Sequence, residues 1–367
     1  MIAIVYPQFY GVGGIARYLD SFLANIPDGS PAIVLITSQV DGAPRSYRGA
    51  EIINVALPQT RAGLLVWGLR VRSLLRDLHR AGRIRHVNLH CPPLIPGLLL
   101  PPEIPLVLTA HTTYVGMSGA FDSPRQFASP WNAVSLAIKY WMERRIFARA
   151  SKVIALTQQG EQEVRRYGFT RPVSVIPNGS DIRQFTPHPE AEKRFDVLFC
   201  GRIERRKGSQ PMVALCKRLV ARNPHIKIAI VGYGDDETWV RAELSAHAAN
   251  LHMSGKVAFE AMQSYYDASR VYVSTSYYEG LPGTCLEAMS MQLPVVVWNQ
   301  LFYASLVREN LTGFLVPTND LAAMEDRVLA LLRDRATAIR VGQAGRDLVA
   351  REYDWRALSP RILLELA

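Results

Sequence analysis

Val271-Tyr272-Val273-Ser274-Thr275-Ser276 and, two residues on, Tyr278-Glu279-Gly280-Leu281-Pro282-Gly283-Thr284-Cys285-Leu286-Glu287-Ala288-Met289 decide the reading of this chain. The first run is apolar and β-branched and reads as a strand. A Gly-Pro-Gly turn follows it and leads into helix-forming residues. Pro282 suits the first helical position, where its missing N–H costs nothing. The first N–H groups of a helix have no internal partners, so such a turn favours an anion. Two acids flank it, Glu279 before the turn and Glu287 within the helix. A phosphate site alone has no use for two carboxylates, whereas a ligand bearing phosphates and sugar hydroxyls has a use for each. The plainer alternative is an exposed Glu279 and a Glu287 favoured by the helix dipole.

Strand, turn and helix recur along the chain. Met1–Tyr6 is a strand, and Gly11-Val12-Gly13-Gly14 runs from it into a helix with Ile15, Leu19, Phe22 and Leu23 on one face. Pro105–Thr113 is a buried strand ending in His111, Thr112 and Thr113. Polar groups at a strand's carboxyl end lie where open α/β sheets bind ligands. Met117–Pro130 reads as a loop and Trp131–Ala150 as a long helix. The pattern restarts at Asp196–Gly201, followed by Arg202-Ile203-Glu204-Arg205-Arg206-Lys207-Gly208. Arg offers a planar fork and Lys a point charge, a common division of labour on phosphate oxygens. Arg205 and Arg206 read as solvated. Short strands are expected at Lys256–Phe259 and at Pro294–Trp298. Repeated βα units predict α/β architecture with parallel sheets, and 367 residues are enough for two domains.

The net charge is +10, of which residues 1–176 hold +9 (19 Lys and Arg against 10 Asp and Glu). Basicity concentrated in one half suggests an anionic partner there. Residues 61–83 add a motive for a membrane surface: Leu64, Trp67, Val71, Leu74, Leu75 and Leu78 follow helical spacing, with Arg72, Arg76, Arg80 and Arg83 along the other side. An α/β layer helix with a solvated basic face reads the same stretch without a membrane. The four cysteines show no metal-like spacing and suit a reducing compartment. The Met1–Tyr6 strand carries no signal-peptide pattern, and no apolar run reaches the ~20 residues of a membrane span, so a cytoplasmic protein is expected, peripheral on the membrane's inner face if the stripe meets lipid. The Arg stripe lacks the interleaved aromatics of a nucleic-acid groove, so no nucleic acid is expected.

The Glu279-x7-Glu287 spacing behind a strand, with Gly280-Leu281-Pro282 after the first acid, resembles the retaining GT-B glycosyltransferases of family 4 (glycosyl transferases group 1). The resemblance implies two Rossmann-like domains facing a central cleft. Residues 1–177 would bind the acceptor, and 178–345 would bind a UDP- or GDP-linked sugar. A C-terminal helix, 346–367, would cross back to the first domain. It implies Glu279 on the donor sugar, Glu287 on the ribose, and Arg202 and Lys207 on the diphosphate. His111 would reach the transferred sugar, and the backbone of Gly13, Gly14, Gly280, Leu281, Pro282 and Gly283 would face the donor. No Asp-x-Asp stands where a metal-bound diphosphate would need it, so no metal and no cofactor beyond the donor are expected. Gln300-Leu301-Phe302-Tyr303 departs from the small turn of many relatives and puts a backbone contact to the donor in doubt. The activity implied is hexosyl transfer to a carbohydrate or lipid-linked acceptor in envelope polysaccharide or glycolipid synthesis. A nucleotide-sugar 2-epimerase of the same fold and a non-catalytic basic binding protein are the alternatives.

Overall fold

Runs such as Ile2-Ala3-Ile4-Val5 and Val295-Val296-Val297-Trp298 have no polar alternation, which suits strands covered on both faces in a parallel sheet. In a computed structural model of the chain, which describes residues 1–10, 13–38, 46–119 and 133–366, each of these eight residues is at most 2% exposed. The chain divides into two compact units. One runs to Gly179 and includes the last helix, Trp355–Leu366; the other runs from Ser180 to Asp354.

Among the described residues the first unit's sheet has eight strands: β1 (Ile2–Val5), β2 (Ile33–Ser38), β3 (Ser46–Tyr47), β4 (Ala50–Val55), β5 (His86–Cys91), β6 (Leu106–Ala110), β7 (Lys152–Ala155) and β8 (Val173–Val175). Their order is β3-β4-β2-β1-β5-β6-β7-β8, parallel except for β3 against β4. The order reverses at β1, which pairs with both β2 and β5. The second unit has six parallel strands: β9 (Phe195–Cys200), β10 (Ile228–Val231), β11 (Leu251–Gly255), β12 (Ser269–Ser274), β13 (Val295–Trp298) and β14 (Phe314–Val316). Here the order is β11-β10-β9-β12-β13-β14, with the reversal between β9 and β12. Ligands of open α/β sheets bind at such switch points, beyond the carboxyl ends of the strands.

Several expectations need correction. The strand near Lys256–Phe259 is displaced to β11, which ends at Gly255 in a left-handed conformation (φ 66°) that breaks the ladder. The opening strand stops at Ser274, leaving Thr275 and Ser276 as loop. Pro282 caps the helix Gly283–Ser290 from outside, because its ψ of 97° is extended. The return to the first unit comes at Trp355 and not at 346, since Arg335–Glu352 is one helix of the second unit, and a Cβ at its Gly342 would stand 2.0 Å from the Gln292 carbonyl oxygen. The named apolar residues of the 61–83 stripe face inward, while Leu65 and Leu69 on the same helix are about half exposed. That helix, Gly63–Arg80, turns Trp67, Val71, Leu75 and Leu78 into the unit's core, with Trp67 0% exposed. On its outer side Arg76 meets Glu103 at 2.8 Å, and Arg83, just beyond the helix, meets Glu51 at 2.6 Å. The loop read at Met117–Pro130 lies, from residue 120 on, outside the described residues, as do Gly11 and Val12. No helix among the described residues is long and apolar enough to cross a membrane.

The segment beyond His111 is held by buried acids. Thr113 caps the short helix Tyr114–Met117, its hydroxyl accepting from the Gly116 N–H at 3.0 Å and donating to Glu163 Oε2 at 2.5 Å. Glu143 Oε2 accepts from the Tyr114 N–H at 2.8 Å and from the Tyr167 hydroxyl. Burial, reinforced by Glu163, raises the Glu143 carboxyl from 4.5 to about 7. The folded state therefore holds a proton that the unfolded state releases between those values, so this group makes stability fall as pH rises from about 4.5 to 7. Glu143→Gln should remove that slope. The difference between wild-type and variant unfolding free energies, from urea titrations across pH 4.5–7.5, should change by up to ~3 kcal/mol, and parallel curves would refute the assignment.

Candidate active site

A shallow, solvent-open cavity lies at the second unit's switch point, bounded by Gly201, Arg202 and Lys207 after β9 and by Ser274, Thr275 and Ser276 at the end of β12. The two loops are locked together at Gly208. Its left-handed φ of 74° lets the chain turn from a 3₁₀ turn, Arg205–Lys207, into the helix Ser209–Arg222. A Cβ on it would stand 1.9 Å from the Thr275 carbonyl oxygen. The Thr275 hydroxyl donates to the Gly208 carbonyl at 2.9 Å, and the Trp298 indole N–H donates to the Thr275 carbonyl at 2.9 Å.

This lock brings Lys207 beside Glu279, and the two form an ion pair through Glu279 Oε1. Ser276 Oγ also donates to Oε1, at 3.0 Å. Each hydroxyl has one proton to give, so the chain behind it has a single direction: Tyr303 donates to Ser274 at 2.7 Å, and Ser274 donates to Ser276 at 3.2 Å. Glu279 is 9% exposed, and its Oε2 carries none of these bonds. Phe302 and Tyr303, the bulk noted at the departing turn, are both 0% exposed and absorbed into the interior.

Arg202 is about half exposed; its guanidinium lies 5.9 Å from the Tyr233 ring centroid and 3.3 Å from Glu204. Arg206, read as solvated, instead donates to the Tyr278 carbonyl at 3.0 Å and to Glu204 at 2.6 Å, fixing the loop that carries Glu279. Arg205, 56% exposed, fits the solvated reading. Glu287 sits in the first turns of the helix Gly283–Ser290 and accepts from the buried Tyr266 hydroxyl at 2.7 Å. At that helix's start, the Cys285 and Leu286 N–H groups return to the Pro282 carbonyl, while those of Gly283 and Thr284 come before the first helical bond. Gly280 precedes this turn, with Leu281 and Pro282 buried in it.

Gly13, Gly14 and His111 belong to the first unit. Gly13 is extended (φ 178°) and caps the helix Gly14–Ala24, and a Cβ on either glycine would meet nothing within 4 Å. His111 is 8% exposed; its backbone N–H donates to the Cys91 carbonyl at 3.1 Å, and its ring is edge-on to Tyr18 with centroids 4.8 Å apart. Burial lowers its pKa to about 3, so it is neutral at physiological pH. Sequence reasoning missed Ser274, Ser276, Tyr303, Arg206 and Tyr266. A signal existed for the serines, since hydroxyl residues ending a buried apolar strand serve something other than packing.

Solved structures with this architecture define the class. Sucrose-phosphate synthase from Thermosynechococcus elongatus matches with a TM-score of 0.83 at 21% identity, over 98% of this chain and 96% of that one. Anabaena HepE, solved in complex with UDP and glucose, matches with a TM-score of 0.78 at 16% identity, over 100% of this chain and 98% of that one. The fold is that of the GT-B glycosyltransferases. A profile described as Glycosyl transferases group 1 matches residues 180–348, and one described as Glycosyltransferase Family 4 matches residues 12–184. The chain belongs to the group 1 glycosyltransferases. D-inositol 3-phosphate glycosyltransferase of Nocardia farcinica is 29% identical over 65% of this chain, which covers 56% of that protein, little more than half its length.

Gly208→Ala should lower the stability of the second unit by more than ~2 kcal/mol, from left-handed strain and the collision with Thr275. Gly13→Ala should leave the unfolding free energy within ~0.5 kcal/mol of wild type, because extended backbone and open space accept a methyl group. Denaturant titration of both variants checks the contrast.

Proposed function

We propose that this glycosyltransferase moves a hexosyl group, with retention of anomeric configuration and without a metal, from a UDP- or GDP-linked sugar to a carbohydrate or lipid-linked acceptor. The observation that carries the reading is the placement of Arg202 and Lys207 on one cavity at the switch point of the second unit, with Glu279 ion-paired to Lys207. As the anomeric C–O bond breaks, its electron pair passes to the leaving phosphate. Arg202, Lys207 and the first N–H groups of the helix behind Pro282 stabilise that charge most at the transition state, where catalysis needs it. The acceptor oxygen attacks from the same face, and its proton goes to the departing phosphate. Glu279 holds the sugar through its hydroxyls and Glu287 holds the ribose, with the nucleotide along the Gly280–Gly283 turn. The first unit takes the acceptor, and Gly13, Gly14 and His111 are its residues assigned to the donor sugar. UDP is the first nucleotide to test, since HepE was solved with it. Envelope polysaccharide or glycolipid synthesis, on the cytoplasmic side, is the setting that suits a basic acceptor domain.

A thermal-shift panel of nucleotide sugars should single out one donor. Lys207→Ala and Arg202→Ala should then lower kcat far more than they lower melting temperature, and wild-type turnover in either would reject the phosphate assignment. Glu279→Ala should cost ~2–4 kcal/mol of transition-state stabilisation. Product formed from donor alone, with no acceptor present, would indicate epimerisation in place of transfer.

A further inference from the structure

Behind His111 runs a line of buried polar groups whose order decides the proton positions. Asn88 and His90 lie on β5, 1% and 2% exposed, and Thr109 lies on β6 at 0%. The Asn88 amide is 3.2 Å from the Val107 carbonyl oxygen, 2.9 Å from Thr109 Oγ1 and 2.8 Å from His90 Nε2. A carbonyl oxygen has no proton, so the side of the amide facing Val107 must be the NH₂. The amide oxygen is thereby turned to His90, and it can only accept. His90 Nε2 therefore carries the hydrogen.

A neutral imidazole with its hydrogen on Nε2 offers a lone pair at Nδ1. His90 Nδ1 lies 2.9 Å from His111 Nε2, so that nitrogen of His111 must be the donor. The remaining nitrogen, His111 Nδ1, is then an acceptor. The alternative, a charged His90 donating at both nitrogens, is opposed by its complete burial and by the second ring against it, which hold its pKa well below the ordinary value. Tyr18 packs edge-on against His111, and Trp355 of the last helix packs edge-on against Tyr18 at 4.9 Å, so the ring has little room to turn over.

We infer that Asn88 and His90 are positioning residues that fix the tautomer of His111, so that His111 meets the transferred sugar as a hydrogen-bond acceptor at Nδ1 and not as a donor. The role toward the sugar rests on the function proposed above; the tautomer does not. A sugar hydroxyl donating to Nδ1 keeps its oxygen lone pairs for other partners, and a ligand offering only an acceptor there, such as an ether oxygen, meets lone pair against lone pair.

Long-range proton–nitrogen correlation spectra of the full-length ¹⁵N-labelled protein at pH 7, with His111 assigned by comparison with His111→Gln, read the tautomer directly. The expected signal is a protonated Nε2 and a bare Nδ1; a protonated Nδ1 overturns the inference whether or not any variant folds. Asn88→Leu removes the acceptor that orients His90 at nearly constant volume. It should convert the His111 signal to a mixture of tautomers and lower kcat about tenfold, the worth of one hydrogen bond. In a His111→Ala background the same change should cost nothing further, because its effect passes through that ring. A loss that adds fully to that of His111→Ala would mean that Asn88 acts on the fold alone. Wild-type activity in His111→Ala together with a protonated Nε2 in the parent would leave the tautomer standing and remove His111 from the sugar site.

Discussion

The close approach of Gly208 to Thr275 is the constraint on which the second unit's chemistry depends. No side chain fits between the two backbones, and the Trp298 indole holds the Thr275 carbonyl from a neighbouring strand. Lys207 and Glu279, separated by 72 positions in the chain, face each other because of it. A second close approach supports the first: a Cβ on Gly232 would stand 1.8 Å from the Gly201 carbonyl oxygen, so the turns after β9 and β10 pack backbone to backbone. Rigid main chain with ionic side chains on top is the arrangement that stabilises developing charge with little reorganisation.

The first unit solves a different problem, since it buries imidazoles and carboxylates with few ion pairs to balance them. Burial keeps His90 and His111 neutral, and the unit's carboxylates are supplied with donors from Tyr167, Thr113 and Gln159. Ser359 of the last helix donates to the Phe22 carbonyl, and Glu365 pairs with Lys152, so this helix is bonded to the unit's first helix and to β7. Trp355, at its start, is part of the wall around Tyr18 and His111. Chain ends far apart in sequence thus meet at one tyrosine, which packs against His111.

What could be read from residue order was periodicity and local chemistry. Unbroken apolar runs announced parallel strands, and the Glu279-x7-Glu287 spacing with Arg202 and Lys207 announced the family. The reading failed where a residue has two environments equally open to it. Trp67 and its leucines suit a membrane surface or a core, and only the sheet beneath them decides. Arg206 stands in a run of charges yet finds a carbonyl 72 positions away. The relay from Tyr303 to Glu279 joins two segments, 274–279 and the turn that carries Tyr303, and the second is not marked by any pattern in the first. His90 carried no mark of its own, because the meaning of a buried histidine lies in what its two nitrogens touch.

The hydroxyl relay behind Glu279 has a thermodynamic consequence for selectivity. Lys207 and Ser276 occupy one oxygen of this carboxylate, whose residue is 9% exposed, and leave the other without either bond. Any occupant that displaces solvent there without supplying a proton donor strands an anionic atom, at a penalty of ~1–3 kcal/mol or more. On the proposed sugar role of Glu279, deoxygenated analogues would be rejected without any steric clash, and discrimination would come from the dehydration of a single oxygen.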